Sequence, residues 1–172
     1  VAKINKNIYL IGMPGVGKSY WAEQIAAAKG LQCIDIDDMI AVRSGMSIAA
    51  FFERYDEEAF RQLERLTLSQ IQEVFPHNCV VACGGGTACY ADNLSLMKAK
   101  GTVIYLKATL PFLEQNLSKE SQKRPLLQSE NWQMKLSEML DLRKAYYEQA
   151  DFIVSAESLN LKYFQTIMQA FG

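Results

Sequence analysis

Eight consecutive residues, Gly12-Met13-Pro14-Gly15-Val16-Gly17-Lys18-Ser19, meet the G-x-x-x-x-G-K-[ST] pattern at every fixed position. Glycines at 12, 15 and 17 let the backbone turn its N–H groups inward around phosphate oxygens. A helix N-terminus beneath them adds about half a positive charge. Lys18 can reach the β- and γ-phosphates of a nucleoside triphosphate, and the Ser19 hydroxyl can ligate Mg²⁺.

Other stretches carry residue types that could work beside such a loop. Leu31-Gln32-Cys33-Ile34-Asp35-Ile36-Asp37 reads as a strand, whose alternation sends Asp35 and Asp37 to one face. Neighbouring carboxylates repel, so the pair suits a metal or a reacting hydroxyl, with Asp35 placed to hold Mg²⁺ through water. The alternative is that Asp37 or Asp38 caps the helix that follows. Arg61 has Glu57 four residues before it and Glu64 three after, the spacing of a surface ion-pair ladder worth roughly tenths of a kcal/mol. Gly84-Gly85-Gly86 costs conformational entropy at a strand end, which suits either a ligand close to the backbone or a plain turn. Arg124 sits in the middle of a polar stretch, 118–131, that reads equally as a lid over phosphates and as a solvated loop. Arg143 falls on an apolar stripe with Trp132, Leu136, Met139 and Tyr147. A guanidinium there needs an anionic partner, either a substrate carboxylate or a structural Asp or Glu.

The elements that must position these groups follow from the hydrophobic pattern. Ile8-Tyr9-Leu10-Ile11 is a buried strand, and Tyr20 to Lys29 a helix with Trp21, Ile25 and Ala28 on one face. Further strands are expected at Asn78 to Cys83, Thr102 to Leu106 and Phe152 to Val154. Ser47 and Asp56 read as N-caps, the second opening a helix with Phe60, Leu63, Thr67, Ile71 and Val74 at helical spacing. Helices at Thr109 to Leu117 and from Trp132 precede a closing helix that uses Leu159, Tyr163, Ile167, Ala170 and Phe171. Five short strands separated by helices predict an α/β, three-layer sandwich with a five-stranded parallel sheet and right-handed crossovers.

The chain has 172 residues, 49% apolar and 22% charged, with a formal net charge of −1. That suits a single domain over residues 1–172 and argues against nucleic acid or an anionic membrane as partner. Val1 to Asn7 has two lysines and no apolar core of a signal segment, and no window resembles a membrane span. Cys33, Cys79, Cys83 and Cys89 form no C-x-x-C pair, and His77 is the sole histidine, so buried free thiols are expected rather than zinc. A reducing cytoplasm and a monomer are the corresponding expectations.

In order along the chain, the P-loop, Asp35-Ile36-Asp37, Phe60-Arg61 with Glu64, the three glycines, Arg124-Pro125-Leu126-Leu127 and Arg143 with Tyr146 resemble the shikimate kinase family. That resemblance implies a P-loop NTPase fold with a small helical substrate-binding segment at about 37–64 and a lid at about 118–131. It implies ATP-dependent phosphorylation of the 3-hydroxyl of shikimate, with Mg²⁺ as cofactor. Gly15, Val16, Gly17, Lys18 and Ser19 would bind ATP and, with Asp35, the metal. Asp37, Arg61, Gly84, Gly85, Gly86 and Arg143 would hold shikimate in a pocket lined by Phe52 and Phe60. Arg124 would close onto the transferring phosphoryl group, and Asp37 would accept the hydroxyl proton. Tyr20 stands after Ser19 where the family commonly has Thr, and Lys119 is the cation nearest the position of the family's adenine-flanking arginine.

Overall fold

Ile8 to Ile11 and Val103 to Leu106 are apolar at consecutive positions, and every one of these residues is buried, because both faces of their strands are covered. A computed structural model describes residues 6–120 and 125–169; Arg124, Ala170 and Phe171 lie outside the described residues. Strands β1 (Asn7–Ile11), β2 (Gln32–Asp35), β3 (Cys79–Ala82), β4 (Gly101–Lys107) and β5 (Phe152–Ser155) form one parallel sheet in the order β2-β3-β1-β4-β5. β1 lies at its centre, with Ile8 beside Val80 on one side and Thr102 on the other.

The helices are α1 (Lys18–Lys29), α2 (Ile36–Ser44), α3 (Ile48–Arg54), α4 (Glu57–Val74), α5 (Asn93–Lys100), α6 (Leu110–Ser118), α7 (Trp132–Tyr147) and α8 (Leu161–Gln169). α1 packs on β1, β2 and β3 with α8 beside it, and α5 packs on β4 with α4 beside it. The expected α/β sandwich is therefore present. All five strands run the same way, so the segments leaving β1, β2 and β3 emerge at one edge, where ligands of open α/β sheets bind.

Several elements differ from the sequence expectation. β2 stops at Asp35, and Asp37 lies in the first turn of α2 rather than on the strand. The cap is Asp35 itself, whose side chain accepts from the N–H groups of Asp37 at 2.9 Å and Asp38 at 3.5 Å. Neither Asp37 nor Asp38 is the cap. A carboxylate at the N-cap, followed by two acidic residues, suits the positive end of a helix well enough to start it at the strand's last residue. On α1 the buried face is Ala22, Ile25 and Ala26, whereas Ala28 is exposed. On α4 Val74 is exposed, and on α8 the buried ring is Phe164, not Tyr163. The latter face is set by Trp21, whose ring lies 5.3 Å from that of Phe164.

The cysteines are all free, but they are not all buried: Cys33 is exposed and Cys89 is half-buried. Burial pushes the Cys89 thiol up to about 11, with Arg143 and Arg61 pulling the other way, and it pushes Cys83 higher still. A raised thiol pKa lowers the reactive thiolate fraction, to about 3 × 10⁻⁴ at pH 7.5 for a pKa of 11. Iodoacetamide at pH 7.5 is therefore expected to modify Cys33 first and to spare Cys79, Cys83 and Cys89, as read by peptide mass spectrometry of the folded protein.

Candidate active site

The loop between β1 and α1 is held open by its own backbone. Gly15 has φ +83°, and a Cβ there would fall 2.7 Å from Leu117 Cγ, so only glycine fits against α6. From the same helix the Asn116 side-chain amide donates to the Gly15 carbonyl at 2.9 Å. Lys18 extends back over the loop and donates to the carbonyls of Gly12 and Met13, both at 2.9 Å. Val16 is buried, so its contribution to the loop's inner surface is backbone. Ser19 Oγ donates to Asp35 Oδ2 at 2.5 Å. Asp35 thus serves two elements at once, capping α2 with one oxygen and holding the start of α1 with the other.

Arg61 is not part of a surface ladder. Its side chain is 14% exposed, and its partner Glu64 is wholly buried. Arg61 Nη1 donates to Glu64 Oε2 at 2.8 Å and Nη2 to Glu57 Oε1 at 3.2 Å. Burial acts to lower the guanidinium pKa, but the charge and hydrogen bonds of Glu64, then of Glu57, outweigh it and leave the pKa raised. Thr87 also donates to Glu64, from the turn after the glycines. The guanidinium lies so close to Gly86 that a side chain there would overlap it. Its outer face covers the Phe60 ring, 5.5 Å from the centroid, and Phe52 packs on Phe60 at 4.6 Å.

Glu64 therefore ties α4 to the turn that follows the glycines, and its loss should be felt in stability. Breaking a buried pair by removing one partner costs about 3–5 kcal/mol. Glu64→Ala is expected to lower unfolding stability by about that amount. Glu57 is 71% exposed, so Glu57→Gln should change stability by less than about 1 kcal/mol. Urea titration of both variants measures the difference.

Arg143 comes from α7 to the other side of the glycine run. A Cβ on Gly85 would lie 3.1 Å from Arg143 Nη1 and equally close to Pro14 of the loop after β1. Among the described residues Arg143 makes no ion pair, and its guanidinium lines the cleft beside Gly85. The tyrosine one turn along that reaches the site is Tyr147, which is buried, and not Tyr146, which is 42% exposed.

Two clefts converge on these groups. One, of about 350 Å³, runs from the β1–α1 loop to Asn116 and Lys119. The other, of about 460 Å³, is an open cleft lined in part by Phe52, Phe60, Arg61, Leu126, Met139 and Arg143. Their walls share Pro14, Ser19, Asp35, Asp37, Gly84 and Gly85. Thus Lys18 stands at one end, Arg61 and Arg143 at the other, and Ser19 with two carboxylates at the junction. Every candidate residue lines one of these clefts except Val16, whose buried side chain faces neither, and Arg124, which lies outside the described residues.

Sequence reading did not single out Asn116, Met139 or the hydroxyl of Tyr147. Asn116 is polar on an otherwise apolar helix face, a weak signal. The other two sit on the stripe of α7, where they read as core. Among the described residues, no helix is long and apolar enough to cross a membrane.

Comparison with known proteins agrees in sequence and in shape. Residues 14–171 match the family model described as shikimate kinase. The chain is 34% identical over 155 residues to the shikimate kinase of Thermodesulfovibrio yellowstonii, covering 90% of this chain and 87% of that protein. It is similar to the shikimate kinase structure from Bacteroides thetaiotaomicron, with a TM-score of 0.88, 28% identity and coverage of 95% and 98% of the two chains. It is also similar to that from Acinetobacter baumannii, solved in complex with shikimate, with a TM-score of 0.86, 31% identity and coverage of 96% and 94%.

Proposed function

The chain belongs to the shikimate kinase family, an ATP-dependent family, and we propose that the joined clefts transfer the γ-phosphoryl group of ATP to the 3-hydroxyl of shikimate. The observation that carries this reading is the shared wall: a phosphate-type loop and a two-arginine cleft meet at Asp35, Asp37, Gly84 and Gly85. The Acinetobacter baumannii relative in complex with shikimate supports the choice of acceptor.

In this reading the backbone of Gly15, Val16 and Gly17 cradles the β-phosphate, and Lys18 leaves its two carbonyl partners to bridge the β- and γ-phosphates. Arg61 and Arg143 take the shikimate carboxylate from two sides, with the N–H groups of the glycine run completing the site. Phe52 and Phe60 supply the apolar wall against which the ring rests. Asp37 orients the 3-hydroxyl, whose oxygen forms the new bond to the γ-phosphorus as the bond from that phosphorus to the β,γ-bridging oxygen breaks. ADP leaves, and the hydroxyl proton passes late to the Asp37 carboxylate. Phosphoryl transfer asks for alignment and charge neutralisation more than covalent help, and fixed cations at both ends provide it. Arg124 is assigned to the transferring phosphoryl group from the sequence motif alone.

The donor set fits Mg²⁺. Among the described residues, no three His, Cys, Asp or Glu side chains could hold a metal by themselves. One hydroxyl and one carboxylate, Ser19 and Asp35, suit a cation that draws its other ligands from phosphates and water. When bound, Mg²⁺ neutralises charge on the phosphate chain. Each chain contains both clefts, so the reaction as written requires no second copy.

Coupled detection of ADP tests the reading. Shikimate should stimulate ADP release strongly, while gluconate and AMP should not. ADP release that follows either of those acceptors and ignores shikimate would reject it.

A further inference from the structure

All three carbonyls of the glycine run are occupied. Gly84 O accepts from Thr87 N at 3.1 Å, Gly86 O from Cys89 N at 3.0 Å, and Gly85 O from the Tyr147 hydroxyl at 2.5 Å. Among the described residues, the N–H groups of Gly84, Gly85 and Gly86 donate to no partner. A peptide plane points its C=O and N–H in opposite directions. Holding the Gly85 carbonyl on Tyr147 therefore turns the Gly86 N–H away from Tyr147. The first and third carbonyls are bound within the run's own turn, whereas the middle one depends on a side chain from a helix 62 residues on.

That side chain is itself fixed. Tyr147 is wholly buried, and its ring stacks on Tyr105 of the sheet at 5.0 Å. Its hydroxyl also lies 3.7 Å from the sulfur of Met13 in the loop after β1. Arg143 is one turn earlier on the same helix, so α7 brings a guanidinium and a hydroxyl, hydrogen-bonded to each other, beside Gly85.

We propose that Tyr147 is a positioning residue for the transfer: its hydroxyl sets the Gly85–Gly86 peptide so that the free N–H groups face the acceptor carboxylate held by Arg143. The inference rests on the functional reading above and adds a determinant of acceptor affinity distinct from the arginines. Burial raises the Tyr147 pKa far above the usual tyrosine value, with Arg143 pulling the other way, so the hydroxyl remains a donor throughout the working range.

Tyr147→Phe removes the hydroxyl and retains the ring and its stack. A lost neutral hydrogen bond of about 1 kcal/mol corresponds to roughly a fivefold loss of affinity. The expected result is a five- to tenfold rise in the KM for shikimate, with the KM for ATP within about twofold of wild type. Equilibrium dialysis of shikimate without nucleotide should give the same factor, and the ratio to wild type should stay flat from pH 6 to 9. Tyr146→Phe, which alters an exposed neighbour, should match wild type. A purely structural role for Tyr147 would instead lower the melting temperature or the active fraction and leave both KM values unchanged. That result, or equal rises in both KM values, overturns the proposal. Wild-type ADP release is measured first: if shikimate does not stimulate it, the functional reading fails and this inference fails with it, whereas a stimulated wild type beside an unaltered Tyr147→Phe sinks the inference alone.

Discussion

Asp37→Asn is expected to lower turnover with shikimate by about 10²- to 10⁴-fold, the range associated with loss of a positioned general base. Asp37 lies in the first turn of α2 and faces both clefts. Asn keeps the size and one acceptor oxygen, so the acceptor hydroxyl can still be oriented. It has no negative charge and cannot take the proton. In the folded chain the same carboxylate also lies in the favourable field of a helix N-terminus, worth about 0.3–1 kcal/mol. Asp37→Asn should lower the melting temperature far less than it lowers activity. A parallel loss of stability and activity would place Asp37 among structural residues.

Lys18→Met should reduce kcat about 10²- to 10³-fold, the loss typical of one preorganised group aimed at developing charge, and should raise the KM for ATP. The ammonium donates to the loop carbonyls of Gly12 and Met13, which station it over the loop and reduce the ordering needed when phosphate binds. Met retains most of the stem but offers those carbonyls nothing. A thermal shift with ATP present measures the lost interaction separately from turnover: wild type should be stabilised, and Lys18→Met should respond far less. Undiminished activity in Lys18→Met would remove the phosphate loop from the mechanism.

The parts of this site that could be read from sequence are those encoded locally. The β1–α1 loop is legible because a single backbone shape demands glycine and lysine at fixed intervals. The sheet is legible because buried parallel strands leave short apolar runs. Local spacing alone makes Arg61 look like a surface cation, because what buries it, Thr87 acting through Glu64 and the backbone at Gly86, is distant in sequence. Asp35-Ile36-Asp37 alternates as a strand would, so the pattern alone extends the strand to Asp37. The helix starts there instead, since Asp35 caps it. Tyr147 shows a third kind of loss. Its position on an apolar stripe correctly indicates burial, yet periodicity is silent about the one polar atom at the end of the ring. Arg143, on the same stripe, was recognisable as needing an anion, but whether ligand or protein supplied it depended on which side chains α7 meets.

A crystal structure with shikimate and a non-hydrolysable ATP analogue bound together tests the joined-cleft arrangement most directly. It should place the shikimate carboxylate between Arg61 and Arg143 beside the glycine N–H groups. The 3-hydroxyl should lie within hydrogen-bond reach of Asp37 and in line with the γ-phosphorus above Lys18. A carboxylate bound elsewhere, or a 3-hydroxyl turned away from the γ-phosphoryl group, would contradict it.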